Sequence, residues 1–127
     1  EDLVMVLLEK QKLKTSNECK NSIMIHMMLH FLVPALVARL FYAVIWWRAY
    51  LLMLATMVVD LDHLVATPIY DATRCSIGFH PLHQPWFILI YCLLCTHKKT
   101  RLIGIGLLIH MLLDSVDCQI TSGIWMQ

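Results

Sequence analysis

Charged residues are scarce in this chain. Asp, Glu, Lys and Arg make up 15% of its 127 residues, whereas soluble domains contain about 25%. Hydrophobic residues reach 59%, above the roughly 45–50% of an ordinary soluble domain. This composition excludes a disordered chain and argues against a water-soluble globule. The length leaves room for one domain, and we expect a small multi-pass membrane protein whose main partner is the lipid bilayer.

Several functional signatures are absent as well. The chain has no phosphate-binding loop, no dinucleotide fingerprint and no Gly-x-Ser-x-Gly nucleophile elbow. A net charge of +1 gives no reason to expect a nucleic-acid partner. Five scattered cysteines are too few for a disulfide scaffold. The function must therefore come from a different kind of site.

The apolar runs predict an all-α membrane protein with four transmembrane helices and a long loop between helices two and three. The predicted spans cover residues 23–47, 49–66, 85–96 and 102–120. Residues 1–22 are interpreted as a polar N-terminal tail and residues 121–127 as a C-terminal tail. Because each span joins the two membrane faces, the position of a residue along the chain predicts its depth.

The polar residues of the spans are expected on one side of the membrane. Every carboxylate within a span, and every histidine except His97, falls near the face at which the first span begins. The basic turns on the opposite face place that face in the cytoplasm by the positive-inside rule, whereas four lysines in the tail argue for the reverse. The predicted metal ligands are His30, Asp60, Asp62, His63, His80, His83, His110 and Asp114.

Helical spacing puts some of these residues on shared helix faces, as for His110 and Asp114 at i,i+4. An ionised Asp at the centre of a span costs about 2.5–3.5 kcal/mol, which protonation, ion pairing, hydration or a bound cation must offset. Mixed imidazole and carboxylate ligands suit a divalent metal such as Zn, Mn or Fe, and the geometry allows two ions. Two ions bridged by a carboxylate suit hydrolysis, with Asp60 and Asp62 as candidate catalytic residues.

Other interpretations stay open. His26 is interpreted as an interfacial or packing residue, His97 as solvated, and Asp117 as a polar residue at the end of its helix. The alternative to a hydrolase is a non-catalytic protein, a metal-binding, transport-related or assembly subunit whose polar cluster only packs helices. A di-iron lipid hydroxylase is less favoured because the chain lacks a His-x-x-His-His run.

The cysteines and one glycine pair give local expectations. Cys75 and Cys118 fall at the same face, so a disulfide between the loop and the fourth span is a hypothesis if that face is oxidising. Cys92 and Cys95 lie toward the opposite face and are interpreted as core packing, because two thiols make no closed zinc site. The Gly-x-Gly run at 104–106 predicts close helix packing.

Four stretches resemble a family of small bacterial integral membrane proteins of unknown function. They cover residues 54–63, 66–69, 74–83 and 104–118, and the run Arg-Cys-Ser-Ile-Gly-Phe-His-Pro-Leu-His is quite specific. The resemblance extends over roughly Met27 to Cys118 and implies a bacterial inner membrane. Residues 1 to about 25 look like an addition to that family's usual length.

More distantly, the order of motifs is similar to that of the membrane-bound metal-dependent hydrolase family. Residues 60–63 match its Asp-x-Asp-His motif, and Asp114 matches its late Asp. His80 and His83 match the loop histidines less well, because the family's His-Arg start and His-Ser end are absent here. The resemblance implies a metal-dependent hydrolase near one membrane face, acting on a lipid or a phosphoester.

Overall fold

The structure, a computed structural model, describes residues 2–67 and 74–127, and side chains from residue 4 onward. In these ranges the fold is helical and contains no strand. Three short 3₁₀ segments connect or extend the α-helices, at Ala43–Ile45, Thr56–Val65 and Pro81–His83. The α-helices are α1 (Asp2–Phe41), α2 (Trp46–Ala55), α3 (Pro85–Thr96) and α4 (Arg101–Ser122).

Three helical stretches are long and apolar enough to cross a membrane, namely Val4–Phe41, Ala43–Val65 and Arg101–Ser122. The hydrocarbon core of a bilayer requires about 20 residues of helix. The third predicted span coincides with α3, which is apolar but has only 12 residues. The structure is therefore consistent with a membrane protein, whereas a fourth crossing stays a prediction.

The first helix differs from the predicted division into tail and span. It continues without a break from Asp2 to Phe41, which is about 60 Å at 1.5 Å per residue and twice the thickness of a bilayer core. It then ends short of residue 47, because Tyr42 leaves the helical conformation with φ −130° and ψ 37°. Neither boundary carries a Gly or Pro, so the sequence offered no signal for them.

Local chemistry explains the ends of the later helices. Pro85 occupies the first turn of α3, where its missing N–H costs no intrahelical hydrogen bond. Gly123 ends α4 in the left-handed region at φ 70°, a conformation that favours glycine, and its N–H donates to the carbonyl of Gln119 at 3.1 Å. The predicted loop 67–84 is described only in part, since residues 68–73 lie outside the described residues.

Helix α4 lies at the centre of the fold and contacts α1, α2 and α3. Its N-terminal half allows close approach: a Cβ added at Gly106 would lie 2.9 Å from Cα of Met53, and one at Gly104 would lie 2.8 Å from the backbone N of Cys95. The prediction of close packing at this Gly-x-Gly pair is confirmed. From residue 110 onward, α4 instead buries the polar side chains of His110 and Asp114.

A disulfide joins Cys75 to Cys118, as hypothesised from the sequence, and ties the segment 74–84 to α4. Cys92 and Cys95 are free thiols. Cys95 packs against Gly104, but Cys92 is exposed, so the packing interpretation holds for only one of the two. The cross-link matters for the site because the segment 74–84 carries two of the predicted ligands.

Candidate metal centre

Four separate parts of the chain bring histidines and carboxylates into contact. His30 lies on α1, residues 60–63 lie in the 3₁₀ segment Thr56–Val65, His83 lies in the segment 74–84, and α4 supplies two further side chains. The structure therefore brings side chains from these four segments together, while their position relative to a membrane face stays a prediction. The groups in which ligand atoms lie within 4.8 Å of one another are Asp60/His83/His110/Asp114, His26/His30/Asp114 and Asp62/His63/His83.

The first group, which we call the inner centre, consists of Asp60, His83, His110 and Asp114. Oδ1 of Asp60 lies 3.0 Å from Nε2 of His110 and 3.7 Å from Nε2 of His83. Oδ2 of Asp114 lies 3.1 Å from Nε2 of His83 and 3.5 Å from Nε2 of His110. Four ligands held about 2.0–2.1 Å from one ion in a tetrahedron are about 3.3–3.4 Å apart. The spacing of these atoms therefore fits a single divalent ion.

The second group, which we call the outer centre, consists of His26, His30 and Asp114. It involves Oδ1 of Asp114, whereas the inner centre involves Oδ2. Oδ1 of Asp114 lies 3.2 Å from Nε2 of His26 and 3.4 Å from Nε2 of His30. Asp114 therefore faces two pairs of histidines, one with each oxygen. A carboxylate in this position can bridge two ions, and the outer centre has only three protein ligands, which leaves room for water or substrate.

The hydrogen bonds of the histidine rings show which ring nitrogens are left to face a carboxylate. Nδ1 of His30 lies 3.0 Å from the carbonyl oxygen of His26. Because a carbonyl only accepts, Nδ1 must donate, and Nε2 of the neutral ring then presents a lone pair to Asp114. Nε2 of His30 and Nε2 of His83 are both buried and have no hydrogen-bond partner among the described residues. A lone pair facing a carboxylate oxygen needs a proton or a cation between them.

Asp62 holds His83 in place from behind. Its Oδ2 accepts hydrogen bonds from Nδ1 of His83 at 3.1 Å and from the backbone N–H of Leu82 at 2.8 Å. With Nδ1 fixed in this way, Nε2 of His83 points at Asp60 and Asp114. Carboxylates that orient metal-binding histidines commonly occupy this position. Asp62 thus contacts the inner centre through His83 rather than as one of its four ligands.

The two loop histidines have opposite electrostatic surroundings. Burial by itself lowers the pKa of His83, but hydrogen bonds and charges from Asp114, Asp60 and Asp62 outweigh it and raise that pKa to about 10. Burial and then the nearby His63 lower the pKa of His80 to about 4. His80 stacks on His63 with ring centroids 3.7 Å apart and, among the described residues, joins none of the three ligand groups. The role of His80 as a metal ligand stays a prediction, and no other candidate ligand among the described residues forms a group with it.

A cavity of about 780 Å³ leads to these side chains. Asp60 and Asp114 line it from the inner centre, and His26 and His30 line it from the outer centre. Apolar side chains from α1 and α4 complete part of its wall, together with residues of the segment 74–84. These additional lining residues include Ile23, Met27, Ile120, Arg74 and Ser76.

Two contact residues were not identified as site residues from the sequence. His26 was interpreted as interfacial, but it contacts Asp114 at 3.2 Å and Asp117 at 3.8 Å. Its i,i+4 spacing from His30 was the available signal, because that spacing puts both rings on one helix face. Ser76, whose Oγ lies 3.2 Å from Nε2 of His63, had no signal because the loop conformation brings them together.

The comparisons with known proteins identify a family but no activity. The sequence profile described as a family of unknown function (DUF6122) matches residues 21–121. No curated protein and no solved structure matches the chain. The resemblance to the membrane-bound metal-dependent hydrolase family and the bacterial origin therefore stay predictions. Since the match covers most of the chain and every residue of the two centres, this protein belongs to the DUF6122 family of unknown function.

Proposed function

We propose that this protein is a membrane-embedded hydrolase with two divalent metal ions near one membrane face. The substrate we propose is an amphiphile with an ester or phosphoester headgroup, and the proposed location, from the resemblance, is a bacterial inner membrane. In this proposal α3 also crosses the membrane, as the third of four crossing segments. The observation that carries the proposal is the position of Asp114, whose two oxygens face His83 and His110 on one side and His26 and His30 on the other.

The side chains divide into holding and orienting roles. The inner centre would hold one ion through Asp60, His83, His110 and Asp114, and the outer centre would hold the second. Bound divalent ions polarise a carbonyl or phosphoryl oxygen and lower the pKa of water. Of the two predicted catalytic carboxylates, we assign Asp60 to metal binding and Asp62 to orienting His83, since both oxygens of Asp62 already contact histidine rings.

The cavity supports an amphiphilic substrate. It is lined by side chains of both polar centres, while Ile23, Met27 and Ile120 add apolar surface from α1 and α4. Both helices belong to stretches that are apolar enough to lie in a bilayer. A headgroup at the centres can therefore keep its hydrocarbon chain beside these residues, which avoids transferring the chain into water.

A non-catalytic role is the second candidate, and one observation favours it. Asp60, Asp62, Asp114 and Asp117 each lie within 4.0 Å of an imidazole nitrogen. Protonated histidines can thus compensate the carboxylates without any metal, and the cluster would then serve only to join helices. Metal content and turnover distinguish the two candidates.

The test is elemental analysis of detergent-purified protein after loading with Zn²⁺, Mn²⁺ or Fe²⁺. We expect up to two bound ions per chain in the wild type. Asp114→Asn keeps the size of the side chain but removes its charge and one acceptor oxygen. We expect it to weaken binding of both ions by more than the roughly 10–100-fold that loss of an outer-shell partner causes, because both centres use this side chain as a direct ligand.

His97→Ala is the matched control, because His97 is exposed in the turn between α3 and α4, away from both centres. It should leave the metal content unchanged. A wild type that binds no metal, or an Asp114→Asn variant with wild-type content, contradicts the proposal. Stoichiometric metal without turnover of any amphiphilic ester or phosphoester in a broad panel favours the non-catalytic candidate.

A further inference from the structure

A serine hydroxyl beside the inner centre has a histidine and an aspartate aligned behind it. Nε2 of His63 lies 3.2 Å from Oγ of Ser76, and Nδ1 of His63 lies 3.1 Å from Oδ1 of Asp62. We infer that Ser76 is a covalent nucleophile toward ester substrates, with His63 as its general base and Asp62 as the residue that positions His63. This relationship is defined by geometry and does not need the sequence motif of any particular serine hydrolase.

The direction of the hydrogen bonds follows from the chemistry of the three groups. A carboxylate only accepts, so Nδ1 of His63 donates its proton to Asp62. Nε2 of the neutral ring then carries the lone pair, and the hydroxyl of Ser76 donates to it. A serine hydroxyl that donates to a histidine so oriented is the arrangement that activates a weak nucleophile.

Neighbouring contacts restrict the movement of the pair. The ring of His63 stacks on His80 at 3.7 Å, and its Nδ1 also lies 3.5 Å from Oδ1 of Asp60. Asp62 is 8% exposed and is held by the backbone N–H of Leu82. His80, which joins none of the ligand groups, thus acquires a packing role behind the proposed base.

Ser76 is open to substrate from the cavity. His63 and Ser76 both line the cavity of about 780 Å³ that also reaches Asp60. An ester entering this cavity can bring its electrophilic carbon or phosphorus to Oγ of Ser76. Arg74 lines the same cavity and gives it a positively charged side chain.

The covalent step balances within these groups. Oγ of Ser76 forms a bond to the carbon or phosphorus, while its proton moves to Nε2 of His63. The bond to the alcohol leaving group breaks, and His63 returns the proton to that alcohol. Water then attacks the Ser76 ester, giving up a proton through His63, and this releases the acid and restores the hydroxyl. The sequence of steps requires no redox partner and no metal.

The inference can fail separately from the proposed two-metal function. His63 belongs to neither the inner nor the outer centre, and the activation of Ser76 depends on His63 and Asp62. A chain without bound metal can therefore still carry the nucleophile. The two proposals fail separately when metal content and covalent labelling are measured on the same sample.

The experiment treats the full-length protein in detergent with a fluorophosphonate probe and locates the adduct by peptide mass mapping. We expect one adduct, on Ser76, with fluoride as the leaving group. Ser76→Ala should abolish labelling, and His63→Gln should slow it by about 100-fold or more, the usual contribution of a general base. Ser22→Ala is the matched control, because Ser22 lines the same cavity and has no imidazole bonded to it among the described residues.

Three results overturn the inference: an adduct on another residue, an unchanged labelling rate in His63→Gln, or no adduct on protein that retains its helicity and its Cys75–Cys118 disulfide. A metal-free sample that labels at Ser76 supports the inference while it contradicts the two-metal function. A metal-loaded sample that does not react with the probe contradicts the inference about Ser76 and is consistent with the two-metal function.

Discussion

The two parts of α4 contact their neighbours through different kinds of residue. The N-terminal half buries Gly104 and Gly106, so neighbouring backbones approach it directly. The rest of the helix, from residue 110 onward, buries His110 and Asp114, which contact polar side chains from three other segments. Contact by small residues is tolerant of pH and metal, whereas contact by charged residues depends on every partner being present. One helix thus combines a packing part with a chemically sensitive part.

The largest expected loss of stability comes from removing a histidine that contacts the polar part of α4. His83→Ala removes a side chain with no exposed surface whose ring nitrogens lie 3.1 Å from both Asp62 and Asp114. We expect a loss of about 3–5 kcal/mol in the free energy of unfolding, because removing one partner of a buried ion pair leaves charge uncompensated. His97→Ala, in an exposed turn, should change it by no more than about 0.5 kcal/mol. Unfolding in detergent with a metal chelator measures both, and equal losses would contradict the contrast.

The stability lost in His83→Ala is also expected to depend on pH. The folded-state pKa of His83 is raised to about 10 from its ordinary 6.5, so its stabilising charge is fully present below pH 6.5 and is lost as pH rises through 10. The stability difference between wild type and His83→Ala should therefore shrink across this interval. A difference that grows with pH would reverse the sign of the interaction.

The sequence predicted that these side chains come together better than it predicted their individual contacts. Span order placed His30, His63, His110 and Asp114 near one face, because helices alternate direction and depth follows position. The spacing of His110 and Asp114 on α4 also held, since the helix there is regular. The helicity of the predicted tail and the end of α1 at Phe41 could not be predicted, because no Gly or Pro marks either point.

Contacts across the loop were beyond sequence reasoning. Asp62 reaches His83 and His63 reaches Ser76 only because the segment 74–84 folds back over the 3₁₀ segment Thr56–Val65. A 3₁₀ helix has three residues per turn, so Asp60 and His63 share one side while Asp62 points elsewhere. The α-helical spacing assumed from the sequence correctly put Asp60 and His63 on one side. It did not predict where the side chain of Asp62 points.

The next prediction concerns the disulfide that holds the segment 74–84 beside the polar part of α4. Replacing Cys75 and Cys118 together with serine removes the bond that ties the segment 74–84 to α4. We expect a loss of about 2–4 kcal/mol in the free energy of unfolding, since the disulfide restricts the unfolded chain. Thermal unfolding under non-reducing conditions measures it.

Cys92→Ser is the control for that pair, because Cys92 is an exposed free thiol on α3. It should unfold like the wild type. Alkylation of Cys75 and Cys118 in unreduced wild-type protein would remove the basis of the prediction, because it would show that the two thiols are not joined.

The smallest of the three effects concerns the packing part. In Gly106→Ala the new methyl group would lie 2.9 Å from Cα of Met53, a backbone atom of α2 that can move only if the helix moves. We expect a loss of about 1–3 kcal/mol, the usual cost of overpacking, measured by thermal unfolding in detergent. Leu112→Ala, on the exposed side of the same helix, should cost less. Metal content in Gly106→Ala should stay at the wild-type level if the two parts of α4 act independently, and a parallel loss of metal would show that close packing at Gly106 also sets the positions of His110 and Asp114.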